Sequence, residues 1–297
     1  MLYSCPYCNH RNASLYRGEQ KLRDGGQRDI YQCNECGSLY PSPRMDSSEA
    51  EAYNNRLNTN QKAGTDYSHY YDNAAEYIRY DDFICKLLKR FTQSGGEALD
   101  IGAFLGRFCC TLEYTGFTAY GLEPQGNAAQ FAGNKGFRVF NGFFPDNIPS
   151  DLLNMRFTLI SMMESIYYFV DLKKSLLKVN EMLRDRGFFL IQCHQGKSKY
   201  YSKNENSFFK RYGDYVQAIP TMDSLKYCLE NTGFEILYAA PMPVDFIRMI
   251  YKGSRFKWLT IKAGALLNKL YELFMADIES ADKLIVLARK RGEVKDV

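Results

Sequence analysis

Four cysteines near the start of the sequence form two closely spaced pairs, Cys5-x-x-Cys8 and Cys33-x-x-Cys36. Four thiolates at this spacing match the ligand set of a tetrahedral Zn²⁺ site. Gly37 follows the second pair and permits the tight turn that directs backbone amides at thiolate sulfurs. Because four protein ligands leave no open coordination position, the pattern predicts a structural zinc. Redox dithiols and unligated surface thiols are the alternatives.

A second candidate site is the glycine loop in the stretch LDIGAFLG. An apolar strand ends at Gly102 and a helix is predicted to begin near Gly106, so backbone N–H groups can approach a ligand closely. About 20 residues further on, Glu123 ends the next predicted strand, where a carboxylate can accept hydrogen bonds from ribose hydroxyls. The loop and the acid together predict a ligand that contains a nucleoside.

Two features favour S-adenosylmethionine (SAM) over NAD as that ligand. Asp100 lies just before Gly102, where its charge suits a cationic amino group but would repel a pyrophosphate. The last two strand-like runs, FEILYAAP and DKLIVLARK, are separated by a long excursion. This separation permits an antiparallel last strand, unlike a regular second nucleotide-binding half.

The elements that must position these residues alternate between strand-like and helical runs, from EALDIG to GFFLIQCH. Such alternation predicts an α/β domain with a parallel sheet between helices. The two prolines of YPSPR mark a module boundary. We therefore expect a zinc module at 1–45, a helical linker or lid at 46–94, and a core domain at 95–297 with a basic helical insertion at about 246–276.

The chain from Glu97 to Lys290 resembles a class I SAM-dependent methyltransferase. Its first segment resembles the four-cysteine zinc ribbon that precedes such domains in bacterial sugar and surface-polysaccharide methyltransferases. The motifs that carry the resemblance are CPYC…CNECGSLYPSPR, LDIGAFLGRF, YGLEP, FTLISMMESIYYFVDLKKSLLKVNEMLRDRGFFLIQC and MDSLKYCLENTGFEI. The resemblance implies a Rossmann-like, seven-stranded, mostly parallel sheet with a reversed last strand, helices on both faces, and SAM across the ends of its first two strands.

Three departures from the family pattern bear on the site. Phe104 stands where a glycine is frequent, which restricts the loop. Tyr168 replaces a histidine common in the family, and the loop DYVQAIPTMDSL also lacks one, which excludes a histidine base at those places. Phe143 stands at the end of the third strand instead of an acid for the adenine amino group, which leaves that contact to backbone or water.

The residues expected to hold SAM lie at the predicted strand ends. They are Asp100, Gly102 and Gly106 for the methionine part, Glu123 for the ribose, and Met163 with Glu164 beside the transferred methyl. Tyr70 and Tyr71, in the aromatic segment DYSHYY, are candidate lid residues, because a tyrosine ring can face a sulfonium through a cation–π contact. The alternative is that these rings only pack the linker helix.

Methyl transfer is an in-line displacement, so alignment of the reacting atoms contributes most of the rate. An acceptor hydroxyl or acidic carbon also needs a general base near the carboxyl edge of the sheet, and His194 is the histidine placed there. Glu164 and Tyr168 are the reserve candidates. A purely structural role is the alternative for His194, and we expect His10 and His69 at the surface.

Composition limits the partners. A formal net charge of +4 is too small to favour a nucleic acid. The basic stretch 246–276 is interpreted as an amphipathic helix that covers the core, or as a contact surface for a membrane or a phosphate-bearing acceptor. Nine cysteines, no signal-peptide pattern and no long apolar segment favour a cytoplasmic protein.

The function predicted from these features is methyl transfer from SAM to a small-molecule or glycan-linked acceptor, such as a sugar in polysaccharide or secondary-metabolite biosynthesis. Two alternatives stay open at this point. One is an RNA methyltransferase, and the other is a non-catalytic binding protein that retains the fold.

Overall fold

The computed structural model describes residues 4–21, 27–60, 82–92, 95–198, 216–242, 278 and 281–292. These residues form a small three-stranded sheet and a seven-stranded sheet. None of the helices within them combines the length and the apolar character needed to cross a lipid bilayer. The predicted basic insertion at 246–276 lies outside the described residues, as do Tyr70, Tyr71 and His69.

The small sheet is antiparallel, in the order β1-β2-β3. Its strands are β1 (Ala13–Lys21), β2 (Gln27–Cys33) and β3 (Leu39–Ser42). Helix α1 (Ser47–Asn60) follows, and its start is a reciprocal cap: Asp46 Oδ1 accepts from the Glu49 N–H, and Glu49 Oε2 accepts from the Asp46 N–H, both at 2.9 Å. Helix α2 (Asp82–Phe91) leads into the main sheet.

The main sheet confirms the predicted fold class. Its strands are β4 (Glu97–Ile101), β5 (Thr118–Glu123), β6 (Val139–Asn141), β7 (Phe157–Met163), β8 (Leu183–His194), β9 (Phe234–Pro241) and β10 (Lys283–Lys290). Their order is β6-β5-β4-β7-β8-β10-β9, and only β10 runs antiparallel to its neighbours. The start of β10 therefore lies at the same edge as the carboxyl ends of the parallel strands.

Helices follow most of the parallel strands. They are α3 (Arg107–Tyr114), α4 (Gly126–Asn134), α5 (Ser150–Leu153), α6 (Leu172–Met182) and α7 (Met222–Glu230). Successive strand residues point to opposite faces, so Leu99, Ile160 and Ile191 belong to one buried cluster and their neighbours Leu159 and Leu190 to the other. Burial on both faces explains why these strands are apolar along most of their length.

The small sheet packs directly on the main domain. Leu39 and Ile219 form an antiparallel bridge, with the Leu39 N–H donating to the Ile219 carbonyl at 3.0 Å and the Ile219 N–H donating back at 2.7 Å. The Thr221 hydroxyl, which caps α7, donates to the Cys36 carbonyl. Buried Tyr7 and Tyr40 belong to the same hydrophobic cluster as the main sheet. The cysteine-bearing segment and the main domain therefore share one core.

Candidate functional site

The four cysteines predicted to bind a metal come together in the fold. Their sulfur atoms all lie within 4.8 Å of one another, and all four residues are buried. The Cys5 and Cys36 sulfurs are 3.6 Å apart and those of Cys8 and Cys33 are 3.4 Å apart. Gly37 has a φ of +72°, as the tight turn after the second pair requires.

The chemistry of this donor set fits a soft divalent cation. A hydrogen bond from the Cys36 thiol lowers the pKa of Cys5 to about 5, whereas burial raises the pKa of Cys8 to about 12. Because the thiolate is the form that binds a metal, a cation that displaces the thiol protons would turn every sulfur into a ligand. Cys5, Cys8, Cys33 and Cys36 fit Zn²⁺ in ligand type, number and spacing.

The glycine loop after β4 needs its glycines for two reasons. Gly102 and Gly106 have φ values of +84° and +79°, in the left-handed region that favours glycine. A Cβ atom on Gly102 would lie 2.7 Å from the Cβ of Ser165, and the Ser165 hydroxyl donates to the Ile101 carbonyl at 2.7 Å. The loop is therefore held against the turn that follows β7.

Phe104 shows why a glycine is frequent at its position. Its φ is +49°, so this bulky residue adopts the left-handed conformation at a cost of about 1–2 kcal/mol. Its backbone N–H donates to Glu123 Oε2 at 2.8 Å. The phenylalanine thus keeps the glycine-like backbone and joins the loop to the acid at the end of β5.

Glu123 lies where the sequence predicts a ribose-binding acid. Its carboxylate is buried, and it accepts a second hydrogen bond from the Gln125 N–H at 2.9 Å. Burial raises the pKa of Glu123 to about 7, although both backbone hydrogen bonds act to lower it. Asn141, at the end of β6, donates to the Glu123 carbonyl at 2.9 Å. The predicted loop and acid therefore meet at the ends of adjacent strands.

Asp100 lies inside β4 and is also buried. Its Oδ1 accepts a hydrogen bond of 2.8 Å from Ser161, the residue beside it on β7. Sequence reasoning identified the acid but missed this serine, because only the register of the two strands pairs them.

Three more of the predicted residues lie at the end of β7 and in the turn that follows it. Met163 is half-buried against the hydrophobic cluster on one face of the sheet. Glu164 has a φ of +59°, and the Tyr168 ring packs edge-on against Tyr167 with the ring centres 4.7 Å apart. Since Ser165 touches Gly102, this turn lies beside the glycine loop.

The side chain of Glu164 is the centre of a polar cluster at the carboxyl edge of the sheet. Its Oε1 accepts from Gln192 Nε2 at 2.9 Å and from Lys283 Nζ at 2.6 Å. Its Oε2 accepts from the Tyr167 hydroxyl at 2.7 Å and lies 3.5 Å from His194 Nε2. Burial alone would raise the pKa of Glu164, but the nearby Lys283 ammonium and His194 lower it.

Sequence reasoning placed Glu164 and His194 at one edge but missed the residues that surround them. Gln192 follows the apolar run FFLI of β8 and Lys283 precedes the apolar run LIVLA of β10, which is the sequence signal that they carry. Tyr167 reads as part of an aromatic run. The candidate lid residues Tyr70 and Tyr71 lie outside the described part of the chain, whereas His10 is exposed, as predicted.

A family model described as a methyltransferase domain matches residues 74–239, which is more than half of the chain. The chain belongs to this methyltransferase family. This methyltransferase is therefore an enzyme that uses SAM as its methyl donor. Among curated proteins, no sequence is significantly similar to it.

Solved methyltransferase structures are similar to this chain at low sequence identity. A methyltransferase from Haloferax volcanii in complex with the Trm112 methyltransferase activator is 12% identical, with a TM-score of 0.52 over 82% of this chain and 98% of its own. SAM-dependent methyltransferases from Thermotoga maritima and Archaeoglobus fulgidus are 17% and 14% identical, with TM-scores of 0.48 and 0.49. The match to the Thermotoga maritima structure covers 76% of this chain and 96% of that structure. The match to the Archaeoglobus fulgidus structure covers 70% of this chain and 94% of that structure.

Proposed function

We propose that this methyltransferase acts on a small-molecule or glycan-linked acceptor, specifically a sugar of polysaccharide or secondary-metabolite biosynthesis. The main observation in support of this proposal is the contact between Gly102 and Ser165. This contact places the proposed nucleoside loop beside the polar cluster around Glu164. The finer choice of a sugar is supported by the four-cysteine module, which resembles the ribbon of sugar methyltransferases.

The residues proposed to hold SAM lie on the adjacent strands β5, β4 and β7 and on the loop after β4. Asp100, Gly102 and Gly106 would bind the methionine part, and Glu123 would accept from the ribose hydroxyls. Met163 would line the methyl side. When bound, SAM supplies an electrophilic methyl group on a positively charged sulfur. Buried carboxylates at Asp100 and Glu123 suit a ligand that has hydrogen-bond donors and a positive charge.

His194 is the proposed general base. It is the last residue of β8, at the carboxyl edge where an acceptor would meet the methyl group. Tyr168, half-buried on the neighbouring turn, is the reserve candidate. The role of the cysteine module is structural: Zn²⁺ held by Cys5, Cys8, Cys33 and Cys36 would stabilise the segment that packs on residues 216–221.

The experiment that tests this function uses purified, zinc-loaded protein, SAM labelled in its methyl group, and a panel of nucleotide sugars, glycans and RNA. We expect label in a sugar-containing fraction. Label in RNA alone would contradict the proposal and favour the RNA alternative.

A variant pair links that activity to the proposed SAM site. Glu123→Ala removes the proposed partner of the ribose hydroxyls, and hydrogen bonds to a charged group contribute about 1.5–3 kcal/mol each. We therefore expect the SAM dissociation constant to rise about 100-fold or more by calorimetry. Glu113→Ala, which changes an exposed acid of α3, is the matched control and should bind SAM normally.

A further inference from the structure

The carboxylate of Glu164 is engaged by protein groups on both oxygens. Gln192 and Lys283 donate to one oxygen and Tyr167 donates to the other. An ionised carboxylate offers only acceptor sites, and three of those are occupied by these donors. Glu164 is therefore better suited to be a fixed negative charge than the base that receives a proton from the acceptor.

The group that this fixed charge faces is His194. The Nε2 atom of the imidazole lies 3.5 Å from Glu164 Oε2, which is an ion-pair distance. In the antiparallel ladder Lys283 is directly opposite His194, so the ammonium and the imidazole approach the same carboxylate from adjacent strands. Asp282 is the next acid along the chain, and its carboxylate accepts from Ser198. A carboxylate this close favours the protonated imidazole, whereas the ammonium opposes it.

We propose that Glu164 is the charge partner of His194, and that Lys283, Gln192 and Tyr167 are positioning residues that hold this carboxylate in place. The inference rests on the proposed function, in which the imidazole receives the proton of the methyl acceptor. As the acceptor atom gains the methyl group, its proton moves to the imidazole and the donor leaves as a neutral thioether. The imidazolium formed in that step lies beside Glu164, which stabilises it.

The backbone at Glu164 explains why so many contacts are needed. Its φ of +59° is a left-handed conformation that a residue with a side chain rarely adopts. Gln192 clamps it twice, because its carbonyl accepts from the Glu164 N–H at 2.7 Å and its side-chain amide donates to the carboxylate. Since the carboxylate can only accept, the NH₂ group of Gln192 must face it, which assigns the orientation of the amide.

The inference can be tested without knowing the acceptor. The chain has three histidines, so protein labelled with ¹⁵N-histidine gives three titrating imidazoles, and a His194→Gln variant assigns the relevant one. We expect Glu164→Gln to lower the measured pKa of His194 by about one unit, a tenfold loss of proton affinity. Lys283→Met should raise it, because a competing cation is removed.

The matched control is Glu181→Gln, which alters an acid of α6 whose side chain is 57% exposed. This change should leave the His194 titration unaltered. An identical His194 titration in Glu164→Gln and in the unmodified protein would overturn the inference.

Two further measurements keep the test decisive. If Glu164→Gln does not fold, Lys283→Met and Tyr167→Phe decide, because each removes a donor that competes with the imidazole for the Glu164 carboxylate. Both should raise the pKa of His194, Tyr167→Phe by less. An unchanged or lowered value in Lys283→Met would contradict the proposal. Calorimetry with SAM on the same samples separates the two claims. If SAM does not bind, the proposed function is contradicted. If SAM binds normally but the pKa of His194 does not respond to the substitutions, only this inference is contradicted.

Discussion

The buried cysteine cluster and the partly buried Glu164 cluster are both polar, but they are built on opposite principles. The first brings the sulfur atoms of four cysteines within 4.8 Å of one another. The second surrounds one anion with an ammonium, an amide and a phenol. Like groups need an added cation to become stable together, whereas complementary groups stabilise one another.

The two clusters are connected through the segment 216–221. Ile219 bridges to Leu39 beside the cysteines, and the Gln217 N–H donates to the Tyr167 carbonyl at 2.8 Å. Tyr167 in turn donates to Glu164. A disturbance of the metal cluster therefore has a short covalent and hydrogen-bonded route to the polar cluster.

Removal of the metal should lower stability more than any other change to the two clusters. Structural zinc contributes on the order of 10 kcal/mol to small modules, so chelation or Cys33→Ser should sharply lower the melting temperature and remove bound zinc. Metal analysis and thermal unfolding check this. Cys110→Ser, outside the cluster, should retain the metal. An unchanged melting temperature after strong chelation would contradict the contrast between the two clusters.

Removal of one charged side chain from the Glu164 cluster should lower stability by less than removal of the metal. Lys283→Met leaves the partly buried carboxylate of Glu164 without this cation, and breaking a fully buried pair is strongly destabilising. Because both side chains retain some exposure, we expect a loss of about 2 kcal/mol in denaturant unfolding. Lys174→Met breaks an exposed pair with Asp146 and should change stability by less than about 0.5 kcal/mol. Equal losses in the two variants would contradict the distinction.

The glycine loop provides a smaller and more local test. Gly102→Ala combines a positive φ with a Cβ contact of 2.7 Å, so we expect a stability loss of about 1–2 kcal/mol and weaker SAM binding. Gly133→Ala is the matched control, because it lies in α4 with open space around it. That variant should be neutral or more stable by up to about 1 kcal/mol. Thermal unfolding distinguishes the two variants. An unchanged melting temperature in Gly102→Ala would show that the loop is not held against Ser165.

The pH dependence of SAM binding should give the smallest effect. Burial raises the pKa of Glu123 to about 7 from its usual 4.5, so this group stabilises the SAM-free protein at low pH and that contribution is lost as pH rises through 7. In the proposed site SAM binds the ionised form of Glu123, so its affinity should fall below pH 7 by at most tenfold, about 1.4 kcal/mol, per pH unit. Calorimetry in buffers of different ionisation enthalpy measures the released proton. Flat affinity between pH 5.5 and 8 would contradict this assignment.

The fold and the glycine loop were predictable because their signals are local. Period-two apolar runs indicate strands, and two C-x-x-C pairs indicate metal ligands without any knowledge of the rest of the chain. Gly102, Gly106 and Glu123 follow from where two adjacent strands end. Phe104 was recognised as a departure, but only its φ showed that it keeps the backbone of a glycine.

The partners of Glu164 were not predictable for the opposite reason. Lys283 is 119 residues from Glu164, and the two meet because the antiparallel β10 starts at the edge where β8 ends. A shift of one residue in that ladder would move Lys283 to the other face of the sheet.

The sequence by itself determined the four cysteines of the cluster, the order of strands and helices, and the positions of the loop and its acid, because these depend on residue chemistry and short-range periodicity. Only the tertiary structure decided that Glu164 is held as a fixed charge beside His194, because that arrangement depends on the register between strands that are far apart in the chain.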